Sequence, residues 1–168
     1  MAINENLIQG LVKALGHGVD QVALLVEDLD SSLELWTGLG ISDWRIYTYS
    51  QDNIATPTYR GKPGEFKFRL ALGGSSPQVE LIQPLRGPSI YHDWIAEHGY
   101  GLHHLGFFVP SIEKSIEEFE NAGLDVIQSG RGYGVDLDGG FAYIDLPGSP
   151  LVLEAIEVPK RRRPSESL

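Results

Sequence analysis

The stretch from Gly18 to Val26 can be laid without a gap on Gly101 to Val109, 83 residues further along. The correspondence continues: Leu29 falls on Ile112, Ser32 on Ser115, Leu33 on Ile116, Trp36 on Phe119, Gly40 on Gly123 and Ile41 on Leu124. An internal repeat constrains the fold more than any single motif, because each copy must build the same unit and bury its apolar face with its neighbour. Each copy reads as a short apolar strand, a turn, a helix and a glycine stop. In the second copy Ile112, Ile116, Phe119 and Ala122 recur at helical spacing, Ser111 stands where an N-cap belongs, and Gly123 stands at the C-terminal end.

A second correspondence follows. Gln78 to Pro84 matches Pro150 to Glu157 when Glu80 is laid on Glu154. Both segments read as strands that carry one acid inside an apolar run, and a buried carboxylate without a partner is costly. From Gln21 to Glu80 is 59 residues and from His104 to Glu154 is 50, so the first copy carries nine more, assigned to the loop-rich stretch Tyr47–Phe68. Residues 1–17 form a weakly amphipathic leader and 87–100 a connecting segment, in which Ile90, Trp94 and Ile95 suggest one short helix. Residues 159–168 are a basic tail, Pro-Lys-Arg-Arg-Arg-Pro-Ser-Glu-Ser-Leu, expected to be solvated.

Composition narrows the functions. With 42% hydrophobic and 21% charged residues over 168 positions, the chain can bury its own core. Thirteen Lys and Arg against 23 Asp and Glu give a net charge of -10, which repels nucleic acid and anionic membranes. No cysteine is present, so a metal would be held by His, Glu, Asp or Gln. The N-terminus lacks a basic segment followed by an apolar one, and no run of about eighteen apolar residues occurs; a cytoplasmic location is expected.

If the two copies pack about a pseudo-twofold axis, Gln21 becomes equivalent to His104 and Glu80 to Glu154. One imidazole nitrogen, one amide oxygen and two carboxylate oxygens suit a divalent ion of the Zn, Ni, Co, Mn or Fe kind. Strand starts of this form, each followed by a helix and paired with an apolar strand bearing one Glu or Gln, resemble the vicinal oxygen chelate superfamily. That superfamily includes glyoxalase I, methylmalonyl-CoA epimerase, extradiol dioxygenases and the bleomycin and fosfomycin resistance proteins. The resemblance covers residues 18–158. Within it, Glu80-Leu81-Ile82-Gln83-Pro84-Leu85 and Gly99-Tyr100-Gly101-Leu102-His103-His104-Leu105-Gly106-Phe107 are especially similar to methylmalonyl-CoA epimerases.

The resemblance implies an α+β fold, two tandem βαβββ modules (18–86 and 101–158) forming a cupped mixed sheet around a metal site. It implies one divalent metal ion held by Gln21, Glu80, His104 and Glu154, and a homodimer, for which the edge strands of an open sheet offer a physical route. The implied activity is that of an isomerase or epimerase abstracting a proton next to a carbonyl through a metal-chelated enolate, on an acyl-CoA or other 2-substituted acid. Glu154 is the first candidate base and Glu80 the second, one for each face of the carbon. Epimerases resemble one another in His at the position of Gln21, Gln at that of Glu80, and a glutamate on the long first-half loop, where this chain offers only Glu65. The order Gln, Glu, His, Glu is that of one class of glyoxalase I, so a lactoylglutathione lyase-like activity on a hemithioacetal is the alternative. A non-catalytic small-molecule binding or resistance protein is the third reading.

Arg60, Lys62, Lys67 and Arg69 gather four cations on or near the long loop. With Tyr59 and Arg131, Arg60 and Lys62 are candidates for contacting an anionic substrate tail. Tyr47 and Tyr49 are candidate pocket residues. His103, next to the presumed ligand His104, should face the opposite side of its strand and play a supporting part.

Overall fold

The structure, a computed structural model, describes residues 3–166. It is an α+β protein built on one curled, mixed, ten-stranded sheet. The chain runs α1 (Glu5–Leu15), β1 (Gln21–Leu25), α2 (Leu29–Gly38), β2 (Arg45–Tyr49), β3 (Thr58–Tyr59), β4 (Lys62–Pro63), β5 (Lys67–Gly73) and β6 (Gln78–Arg86). It continues through α3 (Ile90–His98), β7 (Gly101–Phe108), α4 (Ile112–Asn121), β8 (Val126–Tyr133), β9 (Gly139–Asp145) and β10 (Val152–Glu157). Across the sheet the order is β2-β5-β6-β1-β7-β10-β9-β8-β3-β4. The first eight of these strands are two four-stranded halves meeting at an antiparallel β1/β7 pair, with β1/β6 and β7/β10 parallel. No helix among the described residues is long and apolar enough to cross a membrane.

Period-two alternation sends side chains to two different cores. Ala23, Leu25, Phe68, Leu70, Ile82, Phe141, Tyr143 and Val152 line the concave face. Leu81 and Ala71 meet α2 on the convex face of one half, while Ala142, Ile144, Leu153 and Ala155 meet α1 and α4 on the other. The repeat's helices therefore lie outside the cup. Local signals start and stop them: Ser111 caps α4 by accepting a hydrogen bond from Lys114 N, and Gly123, with φ 75°, takes the left-handed conformation after its end. Phe119 on α4 is fully buried, and burying a ring of that size stabilises by roughly 1.5–3 kcal/mol.

Two features lay outside what the repeat foretold. The extra residues of the first copy, between β2 and β5, do not stay with their own half. They cross the cup, drop Ile54 and Phe66 into the concave core, and pair β3 with β8 of the other half. The connecting helix α3 also enters the cup, where fully buried Tyr91 packs on Phe68, His103 and Tyr143.

The sheet edges differ from expectation as well. One edge, β2, is covered by the C-terminal segment, since Ser165 N donates to Ile46 O at 2.8 Å and Glu166 bridges to Ile46. The other, β4, is two residues long and ends in Pro63. Both edges are blunted in ways proteins use to limit edge pairing.

Candidate metal centre

The register of the four central strands assembles the site. Glu80 on β6 pairs with Ala23 on β1, which pairs with His104 on β7, which pairs with Val152 on β10. One step along the same face, Gln78 pairs with Gln21, Gln21 with Gly106, and Gly106 with Glu154. The second row is the first turned about the pseudo-twofold axis: Glu154, Gly106, Gln21 and Gln78 take the places of Glu80, Ala23, His104 and Val152. All four candidate ligands therefore lie on one face of neighbouring strands at the cup floor, and all are buried.

Small residues between the ligands make this possible. A Cβ on Gly106 would stand 3.0 Å from both Cβ and Oε1 of Gln21. Gly106→Val should push the Gln21 amide aside and weaken divalent-ion affinity by about 10–100-fold, the range seen when groups supporting a ligand are disturbed. Titration against a competing chelator reads this directly, and unchanged affinity would remove Gln21 from the ligand set.

The ligand-type atoms of Glu80, His104 and Glu154 lie within 4.8 Å of one another. His104 Nε2 is 3.3 Å from Glu80 Oε2 and 2.9 Å from Glu154 Oε2. Yet Nε2, Glu80 Oε2 and Gln21 Oε1 are buried without a hydrogen-bond partner, because the N–H of His104 is aligned with neither carboxylate. Unsatisfied buried atoms on Glu80 and His104 beside a second carboxylate, with a further unpaired oxygen on Gln21 of the neighbouring strand, fit a divalent cation with borderline and hard ligands. Burial pushes the pKa of Glu80 up, and the neighbouring Glu154 adds to this against the pull of His104. For His104 burial acts downward, but the two carboxylates outweigh it and raise the imidazole to about 9. The pocket thus demands positive charge between its acids.

Supporting contacts set the orientation of two ligands. Gln21 Nε2 donates to Gln78 Oε1 at 2.9 Å, which fixes the amide of Gln21 and leaves its Oε1 buried beside Gly106. His104 Nδ1 and His103 Nδ1 are 2.9 Å apart, one donating and the other accepting. His103 does not face the opposite side as strict alternation predicts. It is the extra residue of a β-bulge in the β1/β7 pairing, so both histidines are buried on the cup side. Burial, and then the nearby His104, bring the His103 pKa down to about 2. It therefore stays neutral against the rings of Tyr91 and Trp94, 5.5 and 5.0 Å away.

A cavity of about 30 Å³ is lined by Gln21, Glu80 and Glu154 and walled by Tyr49, Phe68, Leu70, Tyr133, Phe141, Tyr143 and Arg162. The candidates for substrate contact lie elsewhere. Tyr59 and Arg60 bind Asp93 of α3, at 2.9 and 2.8 Å. Arg131 pairs with Glu113 of α4 on the convex side at 3.1 Å, and Lys62 is exposed at the sheet edge. None of the four lines the cavity. Glu65 is exposed as well. Of the tyrosines, Tyr49 reaches the cavity while Tyr47 stacks beneath Arg162. Two residues of the site went unnoticed in the sequence. Gln78 had a signal, standing two positions before Glu80 on the same strand face; Arg162 had none, because only the path of the tail brings it here.

The model of the Glyoxalase/Bleomycin resistance protein/Dioxygenase superfamily matches residues 20–143, a span that includes Gln21, Glu80 and His104 and stops before Glu154. Among solved structures, the methylmalonyl-CoA epimerase of Mycobacterium tuberculosis is similar at 22% identity, covering 85% of this chain and 89% of its own, with a TM-score of 0.60. A Streptomyces coelicolor methylmalonyl-CoA epimerase variant in complex with 2-nitronate-propionyl-CoA is similar at 18% identity, with 87% and 97% covered and a TM-score of 0.60. A hypothetical protein from Bacillus halodurans is similar at 20% identity, with the same coverages and a TM-score of 0.57. No curated protein matches. On the family match, over the repeat, the curled sheet and the ligand rows, this chain belongs to the Glyoxalase/Bleomycin resistance protein/Dioxygenase superfamily.

Proposed function

We propose that the protein is a metal-dependent isomerase or epimerase that moves a proton on a carbon next to a carbonyl, acting on a small acid or the acyl end of an acyl-CoA. The observation that carries the reading is the pair of buried carboxylates, Glu80 and Glu154, that both approach His104 Nε2, at 3.3 and 2.9 Å. Gln21, Glu80, His104 and Glu154 would hold the divalent ion, of the Zn, Ni, Co, Mn or Fe kind. Such an ion supplies Lewis acidity, stabilising negative charge on the carbonyl oxygen as the neighbouring carbon loses its proton.

The remaining work falls to the chain. Glu154 Oε2 takes the proton from one face of the carbon, and Glu80, raised in pKa by its burial, returns one to the other. His103 and Gln78 hold His104 and Gln21 in orientation. The aromatic wall around the cavity keeps bulk water from the carbanion-like centre. The inner space is only about 30 Å³, so a substrate's longer tail would lie in the outer groove of about 530 Å³, which Arg162 also lines. Epimerase-type structures among the similar folds support this choice of reaction, and the Gln, Glu, His, Glu order keeps a glyoxalase-I-type lyase as the second reading.

Incubation with methylmalonyl-CoA in deuterium oxide tests it. Exchange of the α-hydrogen with solvent, dependent on added divalent ion, is the expected result. Turnover of methylglyoxal with a thiol cofactor and no exchange into methylmalonyl-CoA would transfer the site to the lyase reading.

A further inference from the structure

The C-terminal segment does not hang in solvent. At one end Val135 N donates to Arg161 O at 2.9 Å and the Arg161 guanidinium pairs with Asp136, fixing the chain to the turn between β8 and β9. At the other, Ser165 bonds both Ile46 O and Thr48 N on β2, and Glu166 pairs with Arg69 at 2.6 Å. Strands β2 and β8 are equivalent in the two halves, so the segment spans the cup from lip to lip. Between its anchors Arg162 turns inward.

Arg162 is clamped between two rings, its guanidinium carbon 5.5 Å from the Tyr47 centroid and 5.4 Å from that of Tyr133. Its Nη2 donates to Tyr133 Oη at 3.3 Å, while its Nε is buried without a partner. It lines both the inner cavity, with Gln21, Glu80 and Glu154, and the outer groove. No carboxylate lies within ion-pair distance of it among the described residues, although the Glu80 charge is felt. A guanidinium stacked between two tyrosine rings, paired with no described carboxylate and lining both cavities, is a prepared site for an anion.

We propose that Arg162 is the anion-recognising residue of this site, and that the group it selects is a carboxylate carried by the substrate close to its reacting carbonyl. The inference rests on the metal-site reading given above. Among the side chains lining the inner cavity Arg162 is the one cation, so a substrate anion there would pair with it. Position agrees with charge, because Arg162 lines the inner cavity together with Glu80 and Glu154 and also lines the outer groove.

Calorimetric titration of the metal-loaded protein with malonate, and with malonamide as its uncharged counterpart, tests the assignment. Wild type should bind malonate the more tightly. R162Q should weaken malonate about 10–100-fold, as expected for loss of a charge-assisted hydrogen bond, and leave malonamide unchanged. R162K, which keeps the charge and loses the fork, should fall between them, and thermal melting checks that each variant is folded. Equal malonate affinity in wild type and both variants, or no preference for malonate over malonamide in wild type, would overturn the proposal. Binding is read without turnover, so this assignment and the proton-transfer reading fail independently.

Discussion

Glu154→Gln is expected to slow α-proton exchange by about 10²–10⁴-fold, the usual contribution of a positioned general base, while the divalent ion stays bound. The amide keeps the shape of the carboxylate and an oxygen for the metal, as Gln21 does at its own position, but it cannot accept a proton at neutral pH. Loss should therefore appear in kcat rather than in metal content. Glu80→Gln separates the two acids further. If each carboxylate serves one face of the carbon, this variant still exchanges the hydrogen of the substrate isomer that Glu154 reaches, yet no longer interconverts the isomers. Chiral analysis of the recovered substrate, alongside deuterium content, distinguishes the two variants. Equal loss of exchange from both isomers in both variants would contradict the division of labour.

His104→Ala carries the largest expected effect on the folded chain. His104 is fully buried and stands between two carboxylates that are themselves 5–6% exposed. Removing the imidazole that both acids approach leaves two carboxylates facing each other out of water, a change of about 3–5 kcal/mol for breaking a buried pair from one side. The variant should melt well below wild type and lose its divalent ion, since the imidazole is the one nitrogen ligand of the set. Differential scanning calorimetry of both proteins, with and without added metal, measures the difference. A His104→Ala protein that melts like wild type would mean that the acids are not held by this residue.

The repeat made the fold legible because both copies use the same devices: a capping residue at Asp28 and Ser111, a glycine at Gly40 and Gly123, and an apolar strand before each helix. It also made the candidate metal site legible, since a one-for-one match of Gln21 with His104 and Glu80 with Glu154 has a geometric meaning only about a twofold axis. Ala23 and Gly106, two residues after each first ligand, are the small positions over which the ligands converge. What broke the symmetry was hidden for the same reason. The insertion carrying β3, the helix α3 and the C-terminal segment have no counterpart in the other copy, and all three settle in or across the cup through long-range packing. Arg60 and Arg131 looked suited to an anionic ligand by charge alone, but Asp93 and Glu113 already partner them. Arg162 looked like one of three solvated arginines, and its burial depends on anchors at Val135 and Ile46 that are remote in sequence. His103 was assigned to the wrong face because a bulge cannot be read from alternation.

Elemental analysis of protein purified without chelator or affinity metal, set beside His104→Ala prepared in the same way, tests the four-residue metal centre most directly. The centre predicts about one divalent ion of the Zn, Ni, Co, Mn or Fe kind per wild-type chain and none in the variant. A wild-type protein that is metal-free and cannot be loaded, while folded, would contradict it and leave the cup as a binding pocket.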